Sequence, residues 1–188
     1  MSDDKNTGLD VAESIDKAES YIHDNKKSLG IIGGALVAVV LAYFGYTQFI
    51  VKPQEENAQQ EMFMAEQYFG QDSAALAING DGSYPGFQEI IDNYSSAPSG
   101  NLANYYLGMS LLKKGDYEKA IEALKNYDAE DDITGALALG GIASAHLELN
   151  QLDESLNFFK KAADWDDNNF TRPLFLKRQA FVYEKTND

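Results

Sequence analysis

Asp164, Asp166 and Asn168 stand at alternate positions, D-x-D-x-N, which is how a calcium-binding loop begins. Such a loop needs Gly at its tight turn and a bidentate Glu at its far end. This chain has Asn169 and Phe175 there, so the cation chemistry is not completed. Asn79-Gly80-Asp81-Gly82-Ser83 places Asn, Asp and Ser at alternate positions in the same way and also lacks the distal Glu; it reads as a flexible connection between helices. Asp128, Glu130, Asp131 and Asp132 read as a solvated turn, as do Asp164, Asp166, Asp167, Asn168 and Asn169. Of the two histidines, His23 lies in the N-terminal tail and His146 on an inner helix face, where packing is the expected role. The chain has no cysteine, which excludes a thiolate nucleophile, disulfides, thiolate zinc sites and a lipidated N-terminal cysteine. It also has no phosphate-cradling glycine loop and no histidine pair at metal spacing. No catalytic, cofactor-binding or metal-binding residue is therefore assigned, and the chain is expected not to be an enzyme.

If these residues do no bond chemistry, the elements that carry them decide the function class. Carboxylates outnumber Lys plus Arg by 30 to 15 in 188 residues. That excess disfavours nucleic acid, because little in the chain would replace phosphate counterions. Leu29 to Val51 is 23 residues long without a charge, enough at ~1.5 Å per residue to cross a hydrocarbon core of ~30 Å. A cleaved signal peptide would need a short basic lead and a shorter apolar run; here the lead is acidic and the run ends in Tyr43, Phe44, Tyr46 and Phe49. Lys17, Lys26 and Lys27 precede the span closely and only Lys52 follows it closely. The positive-inside rule then predicts a cytoplasmic N-terminus and a domain on the opposite side. Within the span Gly30, Gly34, Ala38 and Ala42 recur every four residues, a row of small side chains that lets another helix approach.

Residues 1–28 are expected to form the cytoplasmic tail. Val11, Ile15, Ala18 and Ile22 give it one short amphipathic helix, which could lie on the membrane, touch a partner or continue the span. Residues 29–51 are the transmembrane helix. Residues 52–100 hold a juxtamembrane helix, Gln54–Phe69, and a degenerate first helical repeat; the Pro98-Ser99-Gly100 stretch closes that region. From 101 to 188 the pattern is periodic. Leu107-Gly108, the turn Lys114-Gly115-Asp116-Tyr117, and Ala120 and Leu124 recur 35 residues later as Ile142-Ala143, Asn150-Gln151-Leu152, Ser155 and Phe159. A third unit starts near Thr171, with Ala180 and Tyr183 in its first helix and Asn187-Asp188 at its turn. This resembles the tetratricopeptide repeat, whose units of about 34 residues are helix pairs that stack into a solenoid. The fold class expected is all-α: a single transmembrane helix followed by a tetratricopeptide-repeat α-solenoid. Its third repeat is incomplete. That half-unit either caps the solenoid or is continued by further chain, and Leu174, Phe175, Phe181 and Val182 favour continuation.

In such repeats the first helix of each unit lines a binding groove. This places Leu102, Tyr105, Tyr106, Met109, Leu112 and Lys113 there from the first unit. Gly140, Gly141, Ser144 and Leu147 follow from the second, with Lys177 and Phe181 from the third. Tyr and Met offer adaptable contact area and Gly leaves the backbone open; each residue is equally open to a role in the solenoid core.

The order of tail, span and helical repeat, with Ala18-Glu19-Ser20-Tyr21-Ile22-His23-Asp24-Asn25-Lys26-Lys27 running into the Gly-rich span, a Gln/Glu-rich helix after it and the Leu107-Gly108 repeat, resembles the YfgM-like family. The resemblance implies a single-pass protein of the bacterial inner membrane with its repeats in the periplasm. It implies an ancillary subunit of the SecYEG translocon, working with a membrane-anchored prolyl-isomerase-type chaperone on newly exported, unfolded polypeptides. The small-residue face of the span would dock onto those membrane partners. Two other binding roles stay open: a scaffold for outer-membrane protein assembly, against which the missing lipidated cysteine counts, and an import receptor of opposite orientation.

Overall fold

The computed structural model describes Lys17 and residues 19–129, 131–166 and 169–186. The expectations resting on Val11, Ile15, Ala18, Glu130, Asp167, Asn168, Asn187 and Asp188 lie outside these residues. Among the described residues there is helix and turn and no strand. The chain divides into two units, with the division between Ile50 and Val51.

In the first unit, residues 19–24 are helical and lead through Asn25 into α1, Lys26–Tyr46. No residue of α1 is buried. The helical run Lys26–Gly70 contains the one stretch, among the described residues, that is long and apolar enough to cross a membrane, with a mean hydropathy of 2.1. A span that is apolar all round and bare of protein neighbours is what lipid requires. A π-helical turn, Thr47–Val51, follows α1, and Pro53 sits in the first turn of the next helix. Proline lacks the N–H and its ring crowds the carbonyl four residues back. In the first turn of a helix neither effect costs anything, because no intrahelical bond is made there.

The second unit consists of α2 (Lys52–Gly70), α3 (Ala74–Asn79), α4 (Phe87–Tyr94), α5 (Pro98–Lys114), α6 (Tyr117–Asn126), α7 (Asp132–Glu148), α8 (Leu152–Asp164) and α9 (Thr171–Thr186). The α5–α6 and α7–α8 hairpins are the two full repeats, and α9 packs chiefly on α8. Glycine fixes the closeness of the first hairpin: a Cβ at Gly108 would stand 2.4 Å from the Leu124 side chain. Ala120 and Leu124 are buried, as are Ser155 and Phe159 at the matching places in the second hairpin. The Pro98-Ser99-Gly100 stretch does not close a helix. It opens α5, with Pro98 in the first turn, where its missing N–H costs nothing.

The two hairpin turns are the same backbone device. Gly115 has φ +88°, its N–H donates to the Leu112 carbonyl, and the next N–H, of Asp116, reaches back to Leu111. Asn150 has φ +58°, donates to Leu147, and the Gln151 N–H reaches back to His146. These are left-handed C-terminal caps that satisfy the last helix carbonyls. The end of α2 repeats the device with Asp72 at φ +61°: its N–H donates to Phe69, and that of Ser73 to Tyr68. So α2 ends as the first helix of a repeat ends, which places Gln59, Met62 and Glu66 in register with Leu102, Tyr105 and Met109.

The segment expected to be a flexible connection is a locked turn. Asp81 Oδ1 accepts from the N–H groups of Ser83 and Tyr84, each at 2.8 Å, and Oδ2 accepts from the Tyr68 hydroxyl at 2.7 Å. Those bonds, from Tyr68 first, hold the Asp81 carboxyl below the usual carboxylate range. A Cβ at Gly80 would fall 2.2 Å from the Tyr84 carbonyl oxygen, so side-chain bulk is excluded there as well as disfavoured by φ.

Candidate functional site

The first helices of successive units lie side by side: α2 against α5, α5 against α7, and α7 against α9. Two carboxylates set their N-termini. Asp131 Oδ1 accepts from the N–H groups of Ile133 and Thr134 at 2.8 Å, making it the N-cap of α7. It is therefore a structural cap and not merely a solvated turn residue. The Thr134 hydroxyl and backbone bonds keep its carboxyl below the usual range. Glu55 reaches across from α2 to the start of α5, accepting from the Ser99 N–H at 2.8 Å and the Ser99 hydroxyl at 2.7 Å. Burial pushes the Glu55 carboxyl up, but the bonds from Ser99 and from the Gln59 amide outweigh it and the net shift is downward. The neighbouring turn is clasped by Asn101, whose amide donates to the Asp128 carbonyl at 2.6 Å and accepts from its N–H at 2.8 Å.

Between these fixed points lies a cleft of about 380 Å³, lined by Gln59, Met62 and Glu66 of α2, Leu102 of α5, and Tyr127 and Asp131 of the α6–α7 connection. Its floor is apolar and its rim is acidic. Glu66 is half-buried, and its carboxylate has no hydrogen bond among the described residues; burial pushes its pKa up. Of these, Leu102 follows from the repeat pattern, and Gln59, Met62 and Glu66 do not. The signal for them was Asp72 in the left-handed position that Gly115 and Asn150 hold in the later units.

The residues expected to line the groove fall in different surroundings. Tyr105, Met109 and Leu112 come together, half-buried, around Leu124, Ala138 and Ile142. Burial, with the neighbouring Tyr106, Tyr127 and Asp131, pushes the Tyr105 hydroxyl up to about 12, so it stays a neutral donor and acceptor. Tyr106 is wedged between units instead, stacked on Phe87 at 5.2 Å and edge-on to Phe69 at 5.3 Å. Lys113 is tied to α2: its ammonium pairs with Asp72 at 2.7 Å and lies 4.4 Å over the Phe69 ring. Ser144 is half-buried and donates to the Gly140 carbonyl at 2.8 Å. Lys177 and Phe181 stand exposed on α9. Gly140 and Gly141 do not leave open backbone. A Cβ at Gly140 would meet the Phe175 ring at 2.0 Å, and one at Gly141 would meet Leu124 at 2.8 Å.

In the first unit, Gly30, Gly34, Ala38 and Ala42 are all exposed, and nothing lies within 4 Å of a Cβ built on Gly30 or Gly34. His146 is buried, stacked on Phe158, with Nδ1 2.6 Å from the Gln151 side-chain oxygen. Among the described residues no group of three His, Asp or Glu side chains could hold a metal ion.

The tetratricopeptide repeat family model matches residues 103–127 and 136–169, the two hairpins in which Gly108 and Ala143 admit the second helix. No curated protein matches the chain significantly. The matched segments are repeats of a kind that bind other proteins and are typically non-catalytic.

Proposed function

We propose, for a chain that joins tetratricopeptide repeats to a membrane-crossing helix, a non-catalytic adaptor that holds extended polypeptide at a membrane. In this reading the N-terminus is cytoplasmic and the repeats are periplasmic, in keeping with Lys17, Lys26 and Lys27 before the span. The protein is an ancillary subunit of the Sec translocon, as the resemblance to the YfgM-like family implies. Its partners are translocon subunits, a membrane-anchored prolyl-isomerase-type chaperone, and newly exported chains.

One observation carries the adaptor role: the α2–α5 cleft combines an apolar floor, Met62 and Leu102, with the half-buried carboxylate of Glu66. Such a cleft suits an unfolded segment, which offers both side-chain types and unpaired backbone N–H groups. Tyr105, Met109, Leu112 and Ser144 extend the surface toward α7. In the membrane, the face of Gly30, Gly34, Ala38 and Ala42 is the proposed seat for a partner helix.

Photocrosslinkers at Gly34, Ala38, Gln59 and Glu66 in intact inner membranes test the reading, with adducts identified by mass spectrometry. Translocon subunits are expected at Gly34 and Ala38, and nascent secretory chains at Gln59 and Glu66. Outer-membrane assembly components without translocon subunits would overturn it. A repeat domain protected from protease added on the periplasmic side would reverse the orientation.

A further inference from the structure

The wall of the α2–α5 cleft is one-sided in charge. It holds the carboxylates of Glu55, Glu66 and Asp131 and, among the described residues, no Lys or Arg. The lysines of these two helices stand elsewhere. Lys52 opens α2, while Lys113 and Lys114 close α5 and pair with Asp72 and Asp116 at 2.7 and 2.8 Å. The three carboxylates differ in what they already hold. Both oxygens of Glu55 accept from Ser99, and those of Asp131 accept from the start of α7. Glu66 makes no such bond among the described residues, and it is half-buried. A carboxylate partly withdrawn from water gains more from an incoming cation than an exposed one does, because the local dielectric is lower.

Glu66 also has a fixed apolar neighbour. Met62 precedes it by one turn on α2, so the two side chains share a face and stand ~6 Å apart along the axis. Leu102 of α5 belongs to the same floor. In an extended chain, side chains two positions apart point to the same side, ~6.6 Å from each other. The two spacings match, for either direction of the strand. A segment laid along α2 therefore sets an aliphatic side chain against Met62 and Leu102 and the residue two positions away against Glu66. An acid at that second place would meet like charge.

We infer that the cleft selects extended segments in which a Lys or Arg stands two positions from an aliphatic residue, and rejects those with Asp or Glu there. This selection rests on the proposed role of the cleft as a seat for unfolded chain; the occupant is newly exported polypeptide.

The probes are capped nine-residue peptides on a Ser/Thr background, with a central Leu and one variable residue two positions after it. Fluorescence anisotropy reads their binding to the 188-residue chain in phosphatidylcholine nanodiscs. Lys or Arg at the variable place is expected to bind about tenfold tighter than Gln, and Glu weaker than Gln. Moving Lys next to Leu turns it to the other side of the strand and removes the advantage. Glu66→Gln brings the Lys and Gln peptides within about twofold, and Glu66→Lys reverses the order so that the Glu peptide binds best. Both variants keep the helical circular dichroism of the parent. Glu89→Gln, an equal change of charge at an exposed place on α4, leaves the order intact. In membranes, adducts formed at Gln59 map to exported segments with this pairing; adducts to resident membrane proteins alone overturn the choice of occupant. Equal binding of the Lys and Gln peptides overturns the selection and leaves the seat for unfolded chain standing, whereas no binding of any peptide overturns both. A Lys preference that survives Glu66→Gln, or that ignores the spacing, also overturns it, because the net charge of −15 would then be the cause.

Discussion

α1 and α7 are both built from small and aliphatic residues, and each carries a glycine pair, Gly33-Gly34 and Gly140-Gly141. Their surroundings are opposite. In α7 the space above both glycines is filled, by Phe175 on one side and by Leu124, Leu112 and Met109 on the other. In α1 nothing stands within 4 Å of either glycine. The helix ends differ too: α7 begins on the side-chain cap of Asp131, whereas Asn25 gives α1 no capping bond. Glycine by itself is therefore no sign of a free surface. It marks close approach, and only the neighbours show whether that approach has already taken place.

The most damaging way to test this contrast is Gly140→Leu, which drives a side chain into the Phe175 ring. It should cost about 3 kcal/mol of repeat-domain stability in urea melts. Adding Phe175→Ala should return part of that loss, a coupling that single-site effects would not show. Glu55→Gln removes a charged acceptor from the start of α5 and should cost about 1.5 kcal/mol. Asp131→Ala, which uncaps α7, should cost about 1 kcal/mol, read by the same melts.

Acid should act through these two carboxylates. Both have folded pKa values below their unfolded ones, so their stabilisation is complete above the unfolded pKa of about 4. It is lost as pH falls through the folded values. Glu66 has the opposite sign: burial raises its pKa, so protonation relieves a penalty and partly offsets the loss. Melts between pH 7 and pH 3 should fall less steeply for a Glu55→Gln, Asp131→Asn double variant than for the parent. The smallest effect belongs to Gly34→Leu. It should change repeat-domain stability by less than about 0.5 kcal/mol, read by the same melts.

Much of the fold was legible because it rests on local rules. An uncharged run of 23 residues identifies a span, and small residues at Gly108 and Ala143 with turns at Gly115 and Asn150 identify hairpins of fixed length. The cleft was less legible. Leu102 follows from the repeat, but Gln59, Met62 and Glu66 enter through Asp72, a residue type that tolerates the left-handed conformation without advertising it as glycine does. Nor did spacing separate Lys113 and Tyr106, which hold α2 and α5 together, from Tyr105, Met109 and Leu112, because successive turns of one helix carry both sets.

The sequence by itself determined an all-helical chain, an apolar span and the period of the repeats, since these depend on residue type and near-neighbour spacing. Only the tertiary structure decided which small residues were already covered and which carboxylates became caps. Those outcomes depend on pairs far apart in sequence, such as Glu55 with Ser99 and Gly140 with Phe175, and local pattern carries no information about what arrives from a distance.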